Sequence, residues 1–218
     1  MLKIYGTYRS RATRNVWLAS ELGIPFEFVP VIQAYRLKNP GAADAPLNTT
    51  SPAFLKINPS GQIPSIADGD VVLHESLAIN LYLARKHGGP LAPATVAEEG
   101  LMTQWSLWAA IAAEPHTILV VYHRVSNPTG ALNPVIADAA VAALRGPFAV
   151  LDAALSKTGY LVGGRFTVAD INVAEVIRYA MPAPELFEVA PHVKKWLAAC
   201  HARPAFKAMM AKRELEPM

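Results

Sequence analysis

Cysteine is almost missing from this chain: Cys200 is the only one in 218 residues. A single thiol excludes an internal disulfide, a Cys-x-x-Cys redox pair and a multi-cysteine zinc site. It agrees with a reducing compartment, so the cytoplasm is the expected location. Long apolar runs are scarce as well. The longest strongly apolar run, Ile118 to Tyr122, is far too short to span a bilayer, and Lys3, Arg9 and Arg11 interrupt any secretory signal, so no membrane is expected as a partner. Charge of one sign is not concentrated either. Twenty Lys and Arg against 17 Asp and Glu leave a formal +3, and the basic residues are dispersed rather than gathered into a run, which argues against nucleic acid. What the chain does have is apolar content, 52%, at a length that can build one large core or two smaller ones.

Residues 2 to 5, Leu-Lys-Ile-Tyr, alternate with the period of a strand, and Gly6 and Thr7 open a loop. Ala12, Val16 and Ala19 then recur at helical spacing beside Leu18 and Leu22, and Gly23 and Pro25 stop the helix. A second strand follows from Phe26 to Val31. Two strands joined by one helix in about thirty residues make a βαβ unit, whose crossover makes them parallel. Ser51-Pro52 reads as a cap with a first-turn proline before a short helix at 53 to 57, ahead of the loop Asn58 to Gly61. The runs Ser65 to Ala67 and Val71 to Leu73 flank Asp68-Gly69-Asp70 as a hairpin. The stretch HESLAINLYLARKHGGP is a helix with basic residues in its last turn and glycines at its end.

After Leu91 strand patterns vanish. Ala-rich segments at 94 to 124, 133 to 157, 168 to 181 and 191 to 201 read as helices, and Pro115 within the first predicts a kink or break. The expected organisation is an α/β domain over 1–87 with order βαβαββα, a linker over 88–93, and an all-α bundle over 94–218.

Two helix starts have the geometry for chemistry, though on local grounds alone each also reads as an ordinary helix cap, and for Glu75-Ser76 the cap with a first-turn acid is the better local reading. Glu75-Ser76 lies between a strand and a helix, where a hydroxyl and free N–H groups at the positive end of the helix dipole suit a carboxylate. Ser10 sits where the first loop delivers the chain to a helix, so that its hydroxyl and the helix end converge on one negative charge. Thr167-Val168-Ala169-Asp170 reads as a capping box with a folding role and no chemistry.

Four stretches in this order and spacing, YRSRATRNVWLASELGIPFE, NPSGQIPSI, VVLHESLAINLYLARK and GGRFTVADINVAEV, resemble the glutathione transferases and span both domains. The resemblance implies a thioredoxin-like N-terminal domain, a helical C-terminal domain bordering the acceptor substrate, and a homodimer. It implies a cis bond at Ile63-Pro64, whose preceding backbone groups would pair with the cysteinyl part of glutathione. Gln62, Ile63, Pro64, Glu75 and Ser76 would bind glutathione, with Glu75 receiving the ammonium and Ser76 the carboxylate of the γ-glutamyl end. Ser10 would hold the thiol as thiolate. Bringing a thiol from pKa about 8.5 to about 7 needs roughly 2 kcal/mol, within reach of one hydrogen bond to a charged group aided by a helix end. Tyr5 and Tyr8 are competing donors, and Arg11 would face the thiolate or the acceptor.

YRSRAT looks like the serine-using zeta and theta-type classes, of bacterial kind. Where zeta sequences tend to Ser-Ser-Cys or Ser-Ser-Ala, however, this chain has Ser10-Arg11-Ala12. With no cysteine in the loop, mixed-disulfide chemistry is excluded. Cys200 reads as a buried apolar residue, and His74, His116 and His123 share no metal-ligand spacing, so no metal is expected. Trp105, Trp108, Ile111, Pro115 and Tyr122 form an apolar stripe that supplies at most two pocket residues. The expected activity is addition of glutathione, as co-substrate, to an electrophilic small molecule in detoxification. The alternatives are a glutathione-dependent isomerase resembling maleylacetoacetate isomerase, and a non-catalytic glutathione-binding scaffold.

Overall fold

Strand β1 (Leu2–Gly6) buries Leu2, Ile4 and Gly6 on one face and leaves Lys3 and Tyr5 half-exposed on the other, as the alternation requires. In the computed structural model, which describes residues 1–128 and 130–216, it lies inside a four-stranded sheet of order β2-β1-β3-β4. Strand β2 (Phe26–Pro30) pairs parallel to β1 with Leu2 opposite Phe26, while β3 (Ser65–Asp68) and β4 (Val71–His74) form the antiparallel hairpin. Helix α1 (Ala12–Glu21) makes the parallel crossover, and α2 (Pro52–Leu55) and α3 (Ser76–His87) complete βαβαββα. Ser51 does not cap α2. Its hydroxyl instead accepts from the Asn48 N–H at 3.0 Å, and Pro52 alone sets the first turn.

Two compact units emerge, one made of residues 1–89 together with the chain from Pro204 onward, the other of Pro90–Arg203. This differs from the expected split in two places. A last helix, α10 (Pro204–Leu215), belongs to the first unit: Phe206 meets Trp17 of α1 edge-to-face at 4.9 Å, and Met209 is buried. Residues 90–92, expected as linker, belong to the second unit, where Leu91 O accepts from Val168 N–H, and Pro90 and Ala92 carbonyls accept from Arg165. An apolar face says that a helix needs a partner without saying which, so the placing of α10 was not readable locally.

The second unit contains α4 (Val96–Trp108), α5 (Glu114–Arg124), α6 (Pro134–Thr158), α7 (Val168–Ile177), α8 (Pro184–Glu188) and α9 (Pro191–His201). All ten residues of α7 are buried, which makes it the core helix. Between α4 and α5 the expected kink takes the form of a π-helical turn, Ala109–Ala113. Skipping one residue in the ladder puts Pro115 in the first turn of α5, where its missing N–H leaves no bond unmade. Helix α6, 25 residues, is long enough and apolar enough by composition to cross a membrane. Its Ala137, Ala140, Val141, Leu144, Phe148, Leu151 and Leu155 recur at core-helix spacing and are buried, and Asp138 and Asp152 on it pair with Arg124 and His192.

Candidate functional site

The loop Thr7–Arg11 leads from β1 into α1, and Ser10 stands two residues before the helix. Its Oγ accepts the Ala12 N–H at 3.1 Å and donates to Thr7 O at 2.7 Å. The hydroxyl therefore already satisfies one of the orphan donors of the helix end, and its proton can be redirected from a carbonyl to a better acceptor. Gly6 makes the packing around it possible. A Cβ on Gly6 would lie 2.6 Å from Ala12 Cβ, 3.7 Å from Ser10 Oγ and 3.9 Å from Ile63 Cβ, so the serine, the start of α1 and Ile63 converge on one glycine.

The Ile63–Pro64 peptide is cis, and it enters β3 directly. Pro64 is buried, Ile63 half-buried and Gln62 exposed, with the Gln62 carbonyl held by Asn58 Nδ2 at 2.8 Å. Beside it, Glu75 is the one non-glycine residue among those described with positive φ, at 71°, a left-handed backbone that a Cβ disfavours by roughly 1–3 kcal/mol. This conformation turns the chain sharply into α3, with Glu75 exposed and Ser76 buried at the first helical position. The Ser76 Oγ accepts from the guanidinium of Arg14 at 3.0 Å, and Arg14 is only 1% exposed. Asn15 Nδ2 donates to Ser76 O at 2.8 Å and to Asn80 Oδ1 at 2.7 Å, and Asn80 Nδ2 donates back to Arg14 O. Accepting from a cation polarises the hydroxyl and leaves its proton free to donate. Helix α1 thus reaches Ser10 at its start and Ser76 one turn further on.

Tyr5 tilts against Phe54 with centroids 6.4 Å apart, and the Tyr8 ring lies on Phe28 at 4.4 Å with Lys212 above it at 5.9 Å. Arg11 is exposed at the cap position of α1. Arg14, Asn15 and Asn80 were missed in the sequence because a polar residue inside a helical stripe reads as a solvated face. In the sequence Gly6 reads only as the start of a loop.

In the second unit, Asp170 accepts from Thr167 N–H at 2.8 Å, Thr167 Oγ1 at 3.1 Å, Leu161 N–H at 3.2 Å and Trp196 Nε1 at 2.9 Å, so the capping residue also ties three segments together. Burial pushes its carboxyl up to about 6 against the pull of these donors. Trp105 is buried edge-to-face against Trp108, while Ile111 is exposed. Cys200 is buried, and no group of metal ligands occurs among the described residues.

This arrangement has counterparts along the whole chain. The family profile for the glutathione S-transferase N-terminal domain matches residues 4–91, and that for the C-terminal domain matches 133–204. Glutathione S-transferase 3 of Zea mays is 34% identical over 99% of this chain and 96% of its own. A maize glutathione S-transferase I solved with an atrazine glutathione conjugate superposes with a TM-score of 0.84 at 27% identity, covering 99% of each chain. The theta-class enzyme of Xanthomonas axonopodis pv. citri, solved with glutathione bound, gives 0.78 at 30% identity over 95% of each. With both domains matched in order and a relative of this identity aligned nearly end to end, the chain belongs to the glutathione S-transferase family.

Proposed function

We propose that this glutathione transferase activates the thiol with Ser10 and adds the thiolate to an electrophilic small molecule. The observation that carries the reading is the Ser10 hydroxyl, which accepts from the N–H of Ala12 and has a proton to redirect, on the same glycine as Ile63. A thiol placed against Ile63 would take that proton's hydrogen bond in place of Thr7 O, and the Ala12 N–H would strengthen it. No protein nucleophile is needed, and holding the two reactants together supplies much of the rate. On this reading Ile63, Pro64 and Gln62 receive the cysteinyl part, Glu75 the γ-glutamyl ammonium, and the Arg14-backed Ser76 hydroxyl its carboxylate.

The maize relative is 34% identical and the theta-class bacterial structure 30%, so kinship with plant glutathione S-transferases is supported at least as well as the zeta/theta-like reading. A cytoplasmic homodimer serving detoxification follows from the family resemblance, and sedimentation at micromolar concentration checks the dimer. We take the glutathione-binding domain as 1–89 with α10 and the helical domain as 90–203, in line with the two compact units.

The test is an ultraviolet difference titration of bound glutathione, following thiolate absorbance against pH. The wild type should hold the thiol at or below about 7, against about 8.5 when free. Ser10→Ala should raise that value and lower kcat about 100-fold, the usual loss on removing one preorganised donor. A lowered value that Ser10→Ala leaves untouched moves the role to a tyrosine; a wild-type value near the free thiol's supports the scaffold reading.

A further inference from the structure

The last described residue, Glu216, reaches back more than two hundred positions to the loop that carries Ser10. Its Oε1 accepts the Tyr8 N–H at 2.9 Å and its Oε2 the Arg9 N–H at 2.6 Å. The Glu216 carbonyl accepts from Arg9 Nε at 2.7 Å, and Arg213 Nη1 donates to Tyr8 O at 2.7 Å. Lys212 lies over the Tyr8 ring. The loop segment at Tyr8 and Arg9 is therefore gripped on its N–H and C=O sides by residues from the end of α10.

These bonds have a mechanical context. Phe206, near the start of α10, packs on Trp17 of α1, and Arg213 and Glu216, at and just past its end, hold the loop that feeds α1. Helix α10 is thus a strut between the helix body and the loop. Among the described residues Ser10 Oγ is bonded to Thr7 O and Ala12 N–H, at either end of that loop, so the loop's placement fixes the hydroxyl's. Two adjacent N–H groups taken by the two oxygens of one carboxylate are charge-assisted bonds, stronger than neutral ones.

We infer that Glu216, assisted by Arg213, is a positioning residue for Ser10: its carboxylate clamps the Tyr8 and Arg9 amides and sets where the serine hydroxyl meets the thiol. The inference rests on the Ser10 reading. It differs from a through-space effect of the carboxylate in sign. A negative charge near the thiol raises its pKa, so deleting the charge alone would lower it, whereas loosening the clamp weakens the serine's hydrogen bond and raises it.

The experiment is the same thiolate titration on the full-length wild type, Ser10→Ala, Glu216→Ala and the double variant, with kcat and KM for a model electrophile such as 1-chloro-2,4-dinitrobenzene. Glu216→Ala should raise the bound thiol pKa by about 0.5 to 1 unit. It should lower kcat roughly tenfold by misplacing the reacting groups, with KM for glutathione nearly unchanged. In the Ser10→Ala background the same substitution should move the thiol pKa no further. Glu216→Gln, which keeps the length and one acceptor oxygen, should fall between, and it serves if the alanine variant is poorly folded. An unchanged or lowered pKa in Glu216→Ala beside a raised one in Ser10→Ala overturns the clamp and leaves the Ser10 reading standing; so does a full additive shift in the double variant. If Ser10→Ala itself moves nothing, the Ser10 reading falls and the clamp's role with it.

Discussion

A methyl group at position 6 has nowhere to go. It would meet Ala12 Cβ at 2.6 Å, backed by a helix fixed from two sides, so either the start of α1 or the end of β1 must shift. Gly6→Ala should therefore cost about 1–3 kcal/mol in urea unfolding, as overpacked sites do. Because the shift occurs beside Ser10 and Ile63, the bound thiol pKa should rise with it. A stability loss with an unmoved thiol would separate the packing role from the site. At this scale the sequence was readable where position is local: Ser10 stands before a helix, and Glu75-Ser76 between a strand and a helix, as the periodicity and turn residues predict. Arg14 does not declare itself, since only the tertiary neighbours show that its guanidinium is buried under Ser76 rather than solvated.

Among the elements, α7 shows how far one cap can reach. Breaking an ordinary cap costs about 0.5–2 kcal/mol. Asp170, however, accepts from the start of its own helix and from Trp196 of α9 in the interior, and from Leu161 at its edge. Asp170→Ala leaves several buried donors unsatisfied at about 1–3 kcal/mol each, so a loss of at least about 3 kcal/mol is expected by denaturant unfolding. A loss inside the ordinary range would mean that only the local cap matters. The capping box was legible because its residues are three apart; the links to Leu161 and Trp196 were not, because nothing local joins position 170 to 196. Pro115 teaches the same lesson. The sequence announces an interruption there, and the packing of α4 and α5 in one unit decides that a π turn absorbs it.

For the molecule as a whole, acid is the informative stress. His201, largely buried in α9, is held down to about 4 by desolvation, with Arg178 acting in the same direction and Glu175 against it. The unfolded chain takes up this proton below about 6.5 and the folded chain only near 4, so its contribution to stability is complete above 6.5 and lost as pH falls to 4. Asp170 acts oppositely. Its folded value of about 6 lies above the unfolded 3.8, so acidification through that window favours the fold. Urea midpoints at pH 7 and 4.5 should therefore fall less for His201→Gln than for the wild type, and more for Asp170→Asn. Identical slopes in all three would show that neither group carries the pH dependence.

The sequence by itself determined the α/β order, the parallel crossover, the hairpin, the helical second half and the serine at the start of α1. Each of these depends on residues a few positions apart, where periodicity, capping and turn preferences act. Only the tertiary structure decided that α10 belongs to the first unit, that Arg14 backs Ser76, and that Glu216 holds the loop of Ser10. Those are meetings between positions 62 to more than 200 residues apart, and a chain encodes them only through what its buried faces find when they pack.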